Sequence, residues 1–319
     1  MPLVTSVYNP PLLFRQADIS TIYSGKIRQV KGVFQSRERI EFPDGDFLDL
    51  DWSYAFEKTN RCIVILHGLE GSAKRPYVLA TAKLFNQNGY DACAMNFRGC
   101  GGEPNRLFST YHSGKTDDLE AVILKVLQLG YSQVFIKGFS MGGNIALKYA
   151  GTHSLPTEVK AVVGVSVPCD LKGASLRLLS SRNWLYANRF LRTLIVKIKE
   201  KQQRFPTRIT LDEIQSIRNL RDFDNVYTSK AHGFKDADDY YEQCSSLPNL
   251  GNIQVPTLLL NAKNDSFLSL SCFPYDIAKN HQFLCLETPN YGGHVAFYDA
   301  QNIYYNEKKA LQFCESHCS

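Results

Sequence analysis

Ser140 lies in the sequence context of an enzymatic nucleophile. Residues 138–142 read Gly-Phe-Ser-Met-Gly, which matches the Gly-x-Ser-x-Gly nucleophile elbow. Residues 134–136 are apolar and predict a buried strand, and residues 143–150 have the composition of a helix. A strand, a sharp turn and a helix lift such a serine above the sheet, and the helix N-terminus then stabilises an oxyanion. The alternative interpretation is a glycine-rich turn before an ordinary helix.

A serine hydroxyl needs a general base, and the base needs an acid that orients it. Behind an elbow of this kind the chain order is Ser, then Asp or Glu, then His. We predict Asp265 as the acid and His294 as the base, because each follows a predicted strand, at the rim where α/β sheets bind ligands. Asp170, after the strand predicted at 159–167, is the rival acid. The other histidines precede Ser140 or follow no core strand: His67, His112, His153, His232, His281 and His317.

An oxyanion needs two preorganised N–H donors. We expect one from the backbone of Met141, the residue after the serine, and one from the loop after the apolar run 62–66. Within that loop Leu69 is the preferred donor and Gly68 is the alternative. His67 is interpreted as a structural residue.

Strands and helices alternate along most of the chain, after an irregular leader over residues 1–25 and a hairpin of strands at 39–42 and 47–52. This order predicts a mostly parallel, doubly wound sheet flanked by helices. The further predicted strands are 62–66, 90–97, 134–136, 159–167, 257–262 and 283–286, and the helices are 76–88, 117–129 with Thr116 as its cap, 143–150, 271–280 and 299–316.

About 90 residues separate the strand ending at residue 167 from the strand beginning at 257, too many for a simple crossover, so we predict a helical cap over the site. Residues 172–221 contain 12 Lys or Arg and 3 Asp or Glu, a net charge of +9; subtracting this from the total of +5 leaves −4 elsewhere. Residues 184–205 read as an amphipathic basic helix. One interpretation is a helix packed on the core with a solvated basic face; the other is contact with an anionic membrane surface or a negatively charged substrate.

Composition bounds the remaining function classes. The chain has 319 residues and 44% hydrophobic residues, enough for a large α/β domain with insertions. Nine irregularly spaced cysteines, without signal-peptide features at the start, predict free thiols and a cytoplasmic location. No C-x-x-C pair suggests a metal, and no nucleic-acid-binding module appears. Residues 99–102 lack phosphate-loop spacing, so we expect no nucleotide site there. The serine chemistry predicted above implies no metal or organic cofactor.

Four motifs together resemble the α/β-hydrolase superfamily and, within it, the YheT-like (AB hydrolase 4) family. They are His67-Gly68-Leu69-Glu70-Gly71, Asn96-Phe97-Arg98-Gly99-Cys100, His112-Ser113-Gly114 with Thr116-Asp117-Asp118, and the elbow through Asn144. The resemblance implies an eight-stranded sheet, ester hydrolysis and a triad of Ser140, Asp265 and His294. Animal relatives carry a membrane anchor; no apolar run here reaches the ~18 residues that span a bilayer, so we do not expect their membrane and phospholipid roles here.

The predicted organisation is an α/β-hydrolase core over 1–170 and 251–319, interrupted by a cap over 171–250. The predicted activity is a serine carboxylesterase for short- to medium-chain acyl groups, acting through an acyl-enzyme on a small-molecule ester or lipid-like substrate. Thioesterase, lipase or amidase activity stays open within the same chemistry, because the pocket sets the substrate. The alternative from another class is a non-catalytic binding protein. Weak contact of the basic residues 172–221 with an anionic membrane is the further partner prediction.

Overall fold

A nine-stranded sheet runs through the computed structural model, which describes residues 3–318. The strands are β1 (Leu3–Val4), β2 (Ser36–Glu41), β3 (Phe47–Ser53), β4 (Arg61–Leu66), β5 (Asp91–Asn96), β6 (Gln133–Phe139), β7 (Val159–Val165), β8 (Thr257–Leu260) and β9 (Leu284–Glu287). Their order is β1-β9-β8-β7-β6-β4-β5-β3-β2. Strand β3 is antiparallel to both β2 and β5, and all other neighbours are parallel. The mostly parallel sheet is confirmed; two-residue β1, too short to carry a sequence pattern, adds a ninth strand.

Helices cover both faces of this sheet and form the segment between β7 and β8. They are α1 (Ala17–Ile22), α2 (Pro76–Gln87), α3 (Thr116–Gln128), α4 (Met141–Thr152), α5 (Leu171–Leu179), α6 (Trp184–Arg204), α7 (Leu211–Ser216), α8 (Leu220–Phe223), α9 (Ser229–His232), α10 (Ala237–Cys244), α11 (Tyr275–Lys279) and α12 (Tyr305–Glu315).

Strand β4 shows why its sequence is apolar without interruption. Ile63 and Ile65 pack into a cluster with α2 and α12, while Val64 and Leu66 pack into a second cluster with α3 and α4. Successive strand side chains point to opposite faces, so a strand covered on both sides has no polar positions. The carboxyl ends of these buried strands form the rim on which the functional residues lie.

Among the boundaries that differ from the sequence prediction, three concern the leader, α3 and the last helix. The leader is partly helical, because α1 continues into a helical turn over Tyr23–Ile27. Thr116 is the first residue of α3 rather than its cap; Lys115 occupies the cap position and makes no side-chain capping bond. The last helix begins at Tyr305, six residues late, and the Tyr304 N–H donates to Glu307 at its first turn.

Helices α5 to α10 lie between β7 and β8; α6, α7 and α8 share one hydrophobic cluster, and α10 packs with Leu171 of α5 in another. In α6 the buried positions Leu194 and Ile198 lie four residues apart, which confirms the amphipathic helix. The basic residues of α6 are not all on a solvated face: Lys201 is buried and bonded to Asn105, whereas Lys199 is exposed. Within residues 3–318, no helix has both the length and the apolar character needed to cross a bilayer.

Candidate active site

Ser140 occupies the sharp turn between β6 and α4. Its backbone has φ +52° and ψ −120°, a conformation that costs energy for any residue with a Cβ atom. A Cβ on Gly138 would lie 2.3 Å from the carbonyl oxygen of Gly142, and one on Gly142 would lie 2.4 Å from that of His67. Both motif positions therefore require glycine for close backbone packing, and the turn has the geometry of a nucleophile elbow.

The three predicted triad residues lie within hydrogen-bond distance of one another. His294 Nε2 is 2.9 Å from Ser140 Oγ, and His294 Nδ1 is 2.8 Å from Asp265 Oδ2. The Asp265 side chain is fully buried. With Nδ1–H donating to the carboxylate, Nε2 is the nitrogen that accepts from the serine hydroxyl. This arrangement can remove the serine proton and hold the imidazolium that results.

Asp170, the rival acid, performs a structural task. Its carboxylate accepts a hydrogen bond from the Gly173 N–H at 3.0 Å, which caps α5, and a second from the Ser271 hydroxyl. An aspartate at a helix N-cap satisfies a backbone donor that would otherwise be unpaired. The carboxylate that contacts His294 is that of Asp265.

Hydrogen bonds fix the backbone of the histidine loop. The His294 N–H donates to Thr21 Oγ1 at 2.9 Å, and the neighbouring N–H groups of Gly293 and Val295 donate to Asn264 Oδ1 and Ser166 Oγ. Ser166 and Asn264 follow strands, so the strand-end rule that selected Asp265 could have found them. Thr21 had no such signal, because it lies in a leader predicted to be irregular.

Phe267 packs directly against the triad, which the sequence analysis did not anticipate. Its ring centroid is 4.3 Å from that of His294, and its N–H donates to Asp265 Oδ1 at 3.0 Å. The residue therefore restrains the imidazole and satisfies the carboxylate oxygen that the histidine leaves free. Its position two residues after Asp265 is the one available clue.

The loop after β4 passes beside the nucleophile. A Cβ on Gly68 would lie 3.2 Å from Ser140 Cβ, and the Gly68 N–H already donates to Tyr77 Oη at 3.2 Å. Within residues 3–318, the N–H groups of Leu69 and Met141 have no acceptor, and both residues line the same cavity as Ser140. These two amides are therefore available to a ligand, and Leu69 is better placed for that role than the alternative, Gly68.

His67 holds this loop in place and is not a base. Its Nδ1–H donates to the Gly68 carbonyl at 2.7 Å, and its Nε2 accepts from the Phe97 N–H at 3.2 Å. Complete burial lowers the pKa of His67 to about 3, so the ring is neutral at physiological pH. Its structural interpretation agrees with these contacts.

Glu70 anchors the same loop to the cap. Its backbone is left-handed, with φ +53°, and its N–H and side chain both bond to the Tyr111 hydroxyl. Lys197 of α6 donates to the buried Glu70 carboxylate at 2.9 Å, and Arg75 donates to the Glu70 carbonyl at 2.6 Å. The residue after Leu69 is thus held from both the core and the cap.

A cavity of about 800 Å³ opens above Ser140, between the rim of the sheet and the cap. Its wall includes Ser140, His294, Leu69 and Met141 on the core side. The cap contributes apolar side chains, among them Leu178, Phe190, Leu194, Leu220 and Phe223. It also contributes five cations, Arg189, Arg192, Lys197, Lys201 and Arg204, and the rest of the chain adds Lys26, Arg75 and Arg98. The cavity can hold an acyl chain against the cap while the reacting group faces Ser140.

A metal centre receives no support from the described side chains. No group of three or more His, Cys, Asp or Glu residues within 3–318 is arranged to hold a metal ion. The site described above consists of side chains and backbone amides.

Comparison with known proteins places this geometry in a family. A family model described as the alpha/beta hydrolase fold matches residues 61–300. The chain belongs to the α/β-hydrolase family. It is 36% identical over 266 residues to "Putative esterase YheT" of Escherichia coli (strain K12), covering 82% of this chain and 78% of that protein. It is also 31% identical over 305 residues to human "Phospholipase ABHD3", covering 93% of this chain and 75% of that protein.

Solved structures agree with the fold. The Pyrococcus furiosus esterase Pf2001 superposes with a TM-score of 0.61 at 16% identity, covering 92% of this chain and 97% of that chain. The predicted α/β-hydrolase fold and the YheT-like resemblance are therefore confirmed, and the chain is an esterase- or lipase-type hydrolase of this family.

Proposed function

We propose that the protein is a serine hydrolase that cleaves carboxylic esters of short- to medium-chain acids through an acyl-enzyme. The observation that carries the proposal is His294, which lies 2.9 Å from Ser140 Oγ and 2.8 Å from Asp265 Oδ2. A structural histidine would not need a strained serine on one side and a buried carboxylate on the other.

Acylation begins when Ser140 Oγ attacks the ester carbonyl and His294 Nε2 takes the hydroxyl proton. The carbonyl oxygen becomes an oxyanion, which the N–H groups of Met141 and Leu69 stabilise as hydrogen-bond donors. Asp265 keeps the imidazole in the required tautomer and stabilises its positive charge. The tetrahedral intermediate then collapses, the C–O bond to the alcohol breaks, and His294 gives the alcohol its proton.

Deacylation repeats these steps with water as the nucleophile. His294 takes a proton from a water molecule, the resulting hydroxide attacks the acyl carbonyl, and the same two amides stabilise the second oxyanion. Collapse releases the carboxylic acid and returns the proton to Ser140 Oγ. No cofactor enters this sequence.

The test is hydrolysis of 4-nitrophenyl esters of increasing acyl length by the wild type and by Ser140→Ala. We expect turnover with an optimum at short to medium chains, and a loss of several orders of magnitude in the variant, as with other triad nucleophiles. Thioester, amide and phospholipid substrates in the same assay separate the neighbouring activities; the phospholipid is included because a relative bears the name phospholipase. Equal rates for wild type and variant would reject the mechanism. No turnover at all would favour the non-catalytic binding protein.

We propose weak contact of the basic cap, residues 172–221, with an anionic membrane surface as a second property. Support comes from exposed side chains of these residues that do not line the cavity, among them the apolar Leu176 and Leu185 and the cations Arg208 and Arg218. We expect tighter binding to vesicles with anionic lipid than to neutral vesicles, and weaker binding as salt rises. Equal binding to both vesicle types would reject this property.

We also propose a cytoplasmic location for the reaction. All nine cysteines lie within residues 3–318 and none forms a disulfide there. Seven of them are buried, which suits thiols that stay reduced. Fractionation of cells that produce the protein would test this; recovery in a secreted fraction would contradict it.

A further inference from the structure

Three cations from separate parts of the chain converge on the wall of the active-site cavity. Lys26 lies in the helical turn after α1, Arg75 directly precedes α2, and Arg189 lies in the cap helix α6. All three line the cavity that contains Ser140 and His294. The fold thus brings positive charge from the turn after α1, the core and the cap to the wall of one cavity.

These cations repel one another. The pKa of the Lys26 ammonium is lowered, first by the positive charge of Arg189, then by partial burial and by Arg75. The pKa of Arg189 is lowered by burial and by Arg75. Like charges placed together are unfavourable unless a counter-charge joins them.

No carboxylate within residues 3–318 pairs with any of the three. Asp18, in the helix α1 that precedes the turn with Lys26, instead pairs with Arg182 at 2.7 Å. The cavity carboxylates Glu70 and Asp224 bond to Lys197 and Tyr241, respectively, and so are not available.

Glu200 is the remaining carboxylate of the cavity wall. It lies eleven residues beyond Arg189 on α6, about 16 Å along the helix at the usual rise. Arg75 uses one of its N–H groups on the Glu70 carbonyl, and its others have no acceptor in the described chain. The cluster therefore has both unbalanced charge and free hydrogen-bond donors directed to a ligand cavity.

We propose that Lys26, Arg75 and Arg189 bind a negatively charged group, a phosphate or a carboxylate, on the ester that Ser140 attacks. The proposal rests on the ester hydrolysis proposed above and narrows its substrate class to anionic esters. Guanidinium groups match the geometry of both anions, and a lysine adds a point charge. The apolar side chains of the cap then accommodate the acyl chain in the same cavity.

The experiment compares kcat/KM within two matched ester pairs. One pair is 4-nitrophenyl butyrate and mono-4-nitrophenyl glutarate, which places a carboxylate on the acyl side. The other is 1-decanoylglycerol and its 3-phosphate, which places a phosphate on the alcohol side. The ratio of anionic to neutral ester is taken within each variant, so that any general change in activity cancels.

We expect the wild type to favour the anionic ester of at least one pair by about tenfold, a size suited to exposed charges. In the Lys26→Gln/Arg189→Gln double variant the ratio falls towards one. Arg189→Lys, which keeps the positive charge, retains most of the wild-type preference for the anionic ester. The matched control is Lys199→Gln, an exposed lysine on the same helix outside the cavity wall, which keeps the wild-type ratio. The pair that responds identifies the anion and its side of the ester.

A wild-type ratio of anionic to neutral ester of one or less in both pairs would overturn the subsite proposal. A fall of this ratio in Lys199→Gln equal to that in the double variant would overturn it as well. If the wild type hydrolyses no ester, the proposed function fails and calorimetric titration with inorganic phosphate and with glutarate decides the subsite. Binding by the wild type that weakens about tenfold in the double variant would support it. No heat of binding with either anion would overturn it.

Discussion

The core side and the cap side of the cavity are built on different principles. On the core side, hydrogen bonds hold the triad, such as those of Asp265 to His294 and of the His294 backbone to Thr21. On the cap side, α6 presents apolar side chains and the cation Arg189, which pairs with no carboxylate within residues 3–318. The sheet rim therefore holds the triad side chains at hydrogen-bond distance from one another, as catalysis requires. The cap sets volume and charge, which select a substrate.

Lys197 is one exception to this division. It belongs to the cap, yet its ammonium reaches the buried Glu70 carboxylate next to Leu69. Through this contact the cap stabilises the loop that we propose as an oxyanion donor. Substitutions on the two sides should therefore have different effects, and Lys197 should behave as a core residue.

The largest expected effect is on the core side. His294→Ala removes the proposed base, and we expect kcat for 4-nitrophenyl butyrate to fall by about 10⁴-fold or more. The thermal midpoint should change little, since the imidazole is partly exposed and the loop bonds are made by the backbone. A loss of less than tenfold in a folded variant would show that His294 is not the base.

An intermediate effect is expected for Lys197→Met. The variant leaves the Glu70 carboxylate without its cation and loosens the adjacent loop, so we expect kcat to fall about tenfold, part of what a lost oxyanion donor costs. KM should change less than kcat, because the Lys197 ammonium is already bonded to the Glu70 carboxylate rather than free for a ligand. Lys199→Met, two residues further on and exposed, is the matched control. An equal loss of kcat in Lys197→Met and Lys199→Met would show that the Lys197 contact with Glu70 has no special role in catalysis.

Smaller catalytic effects are expected where the cap is purely apolar. Leu194 packs in the cap cluster and lines the cavity. Leu194→Ala should enlarge the cavity and raise kcat/KM a few-fold for longer acyl chains, so that the optimum of the series moves to a longer chain. It should also reduce the free energy of unfolding by about 2–3 kcal/mol. An unchanged optimum together with a large fall in kcat for short esters would mean that the cap takes part in chemistry.

The smallest effect is on stability alone and concerns a buried core cation. Burial lowers the pKa of Lys137 to about 7, and within residues 3–318 its side-chain nitrogen bonds only to Thr81 and Asn306. Between about pH 7 and its unfolded value near 10.4, the unfolded chain binds more protons there, so the free energy of unfolding should rise with pH. Denaturant unfolding of the wild type and Lys137→Met from pH 7 to 9 tests this. A parallel pH dependence in both would contradict it.

The site residues that directly follow strands could be predicted from the sequence. Ser140, Asp265 and His294 each follow a strand, and parallel strands end at one rim, so chain order sufficed to bring them together. Thr21 and Lys197 could not be found in this way. Thr21 contacts a residue 273 positions away, and Lys197 reaches Glu70 across 127 residues. Such contacts depend on how separate segments pack, which no local pattern encodes.

The same limit explains the errors at element boundaries. Thr116 has the residue type of a cap but lies one position inside α3, because the preceding turn, not the side chain, sets where the helix begins. The leader looked irregular because α1 is six residues long, too short to show periodicity. Both α1 and α6 contribute residues to the site only because the folded chain packs them around the same cavity.

The central claim is that Ser140 is an activated nucleophile. The most direct measurement is labelling with a serine-directed fluorophosphonate, followed by intact mass and peptide mapping. We predict one adduct per chain, located on Ser140, that is absent in Ser140→Ala and formed far more slowly in His294→Ala. An unlabelled wild type, or an adduct on another serine that persists in Ser140→Ala, would contradict the account.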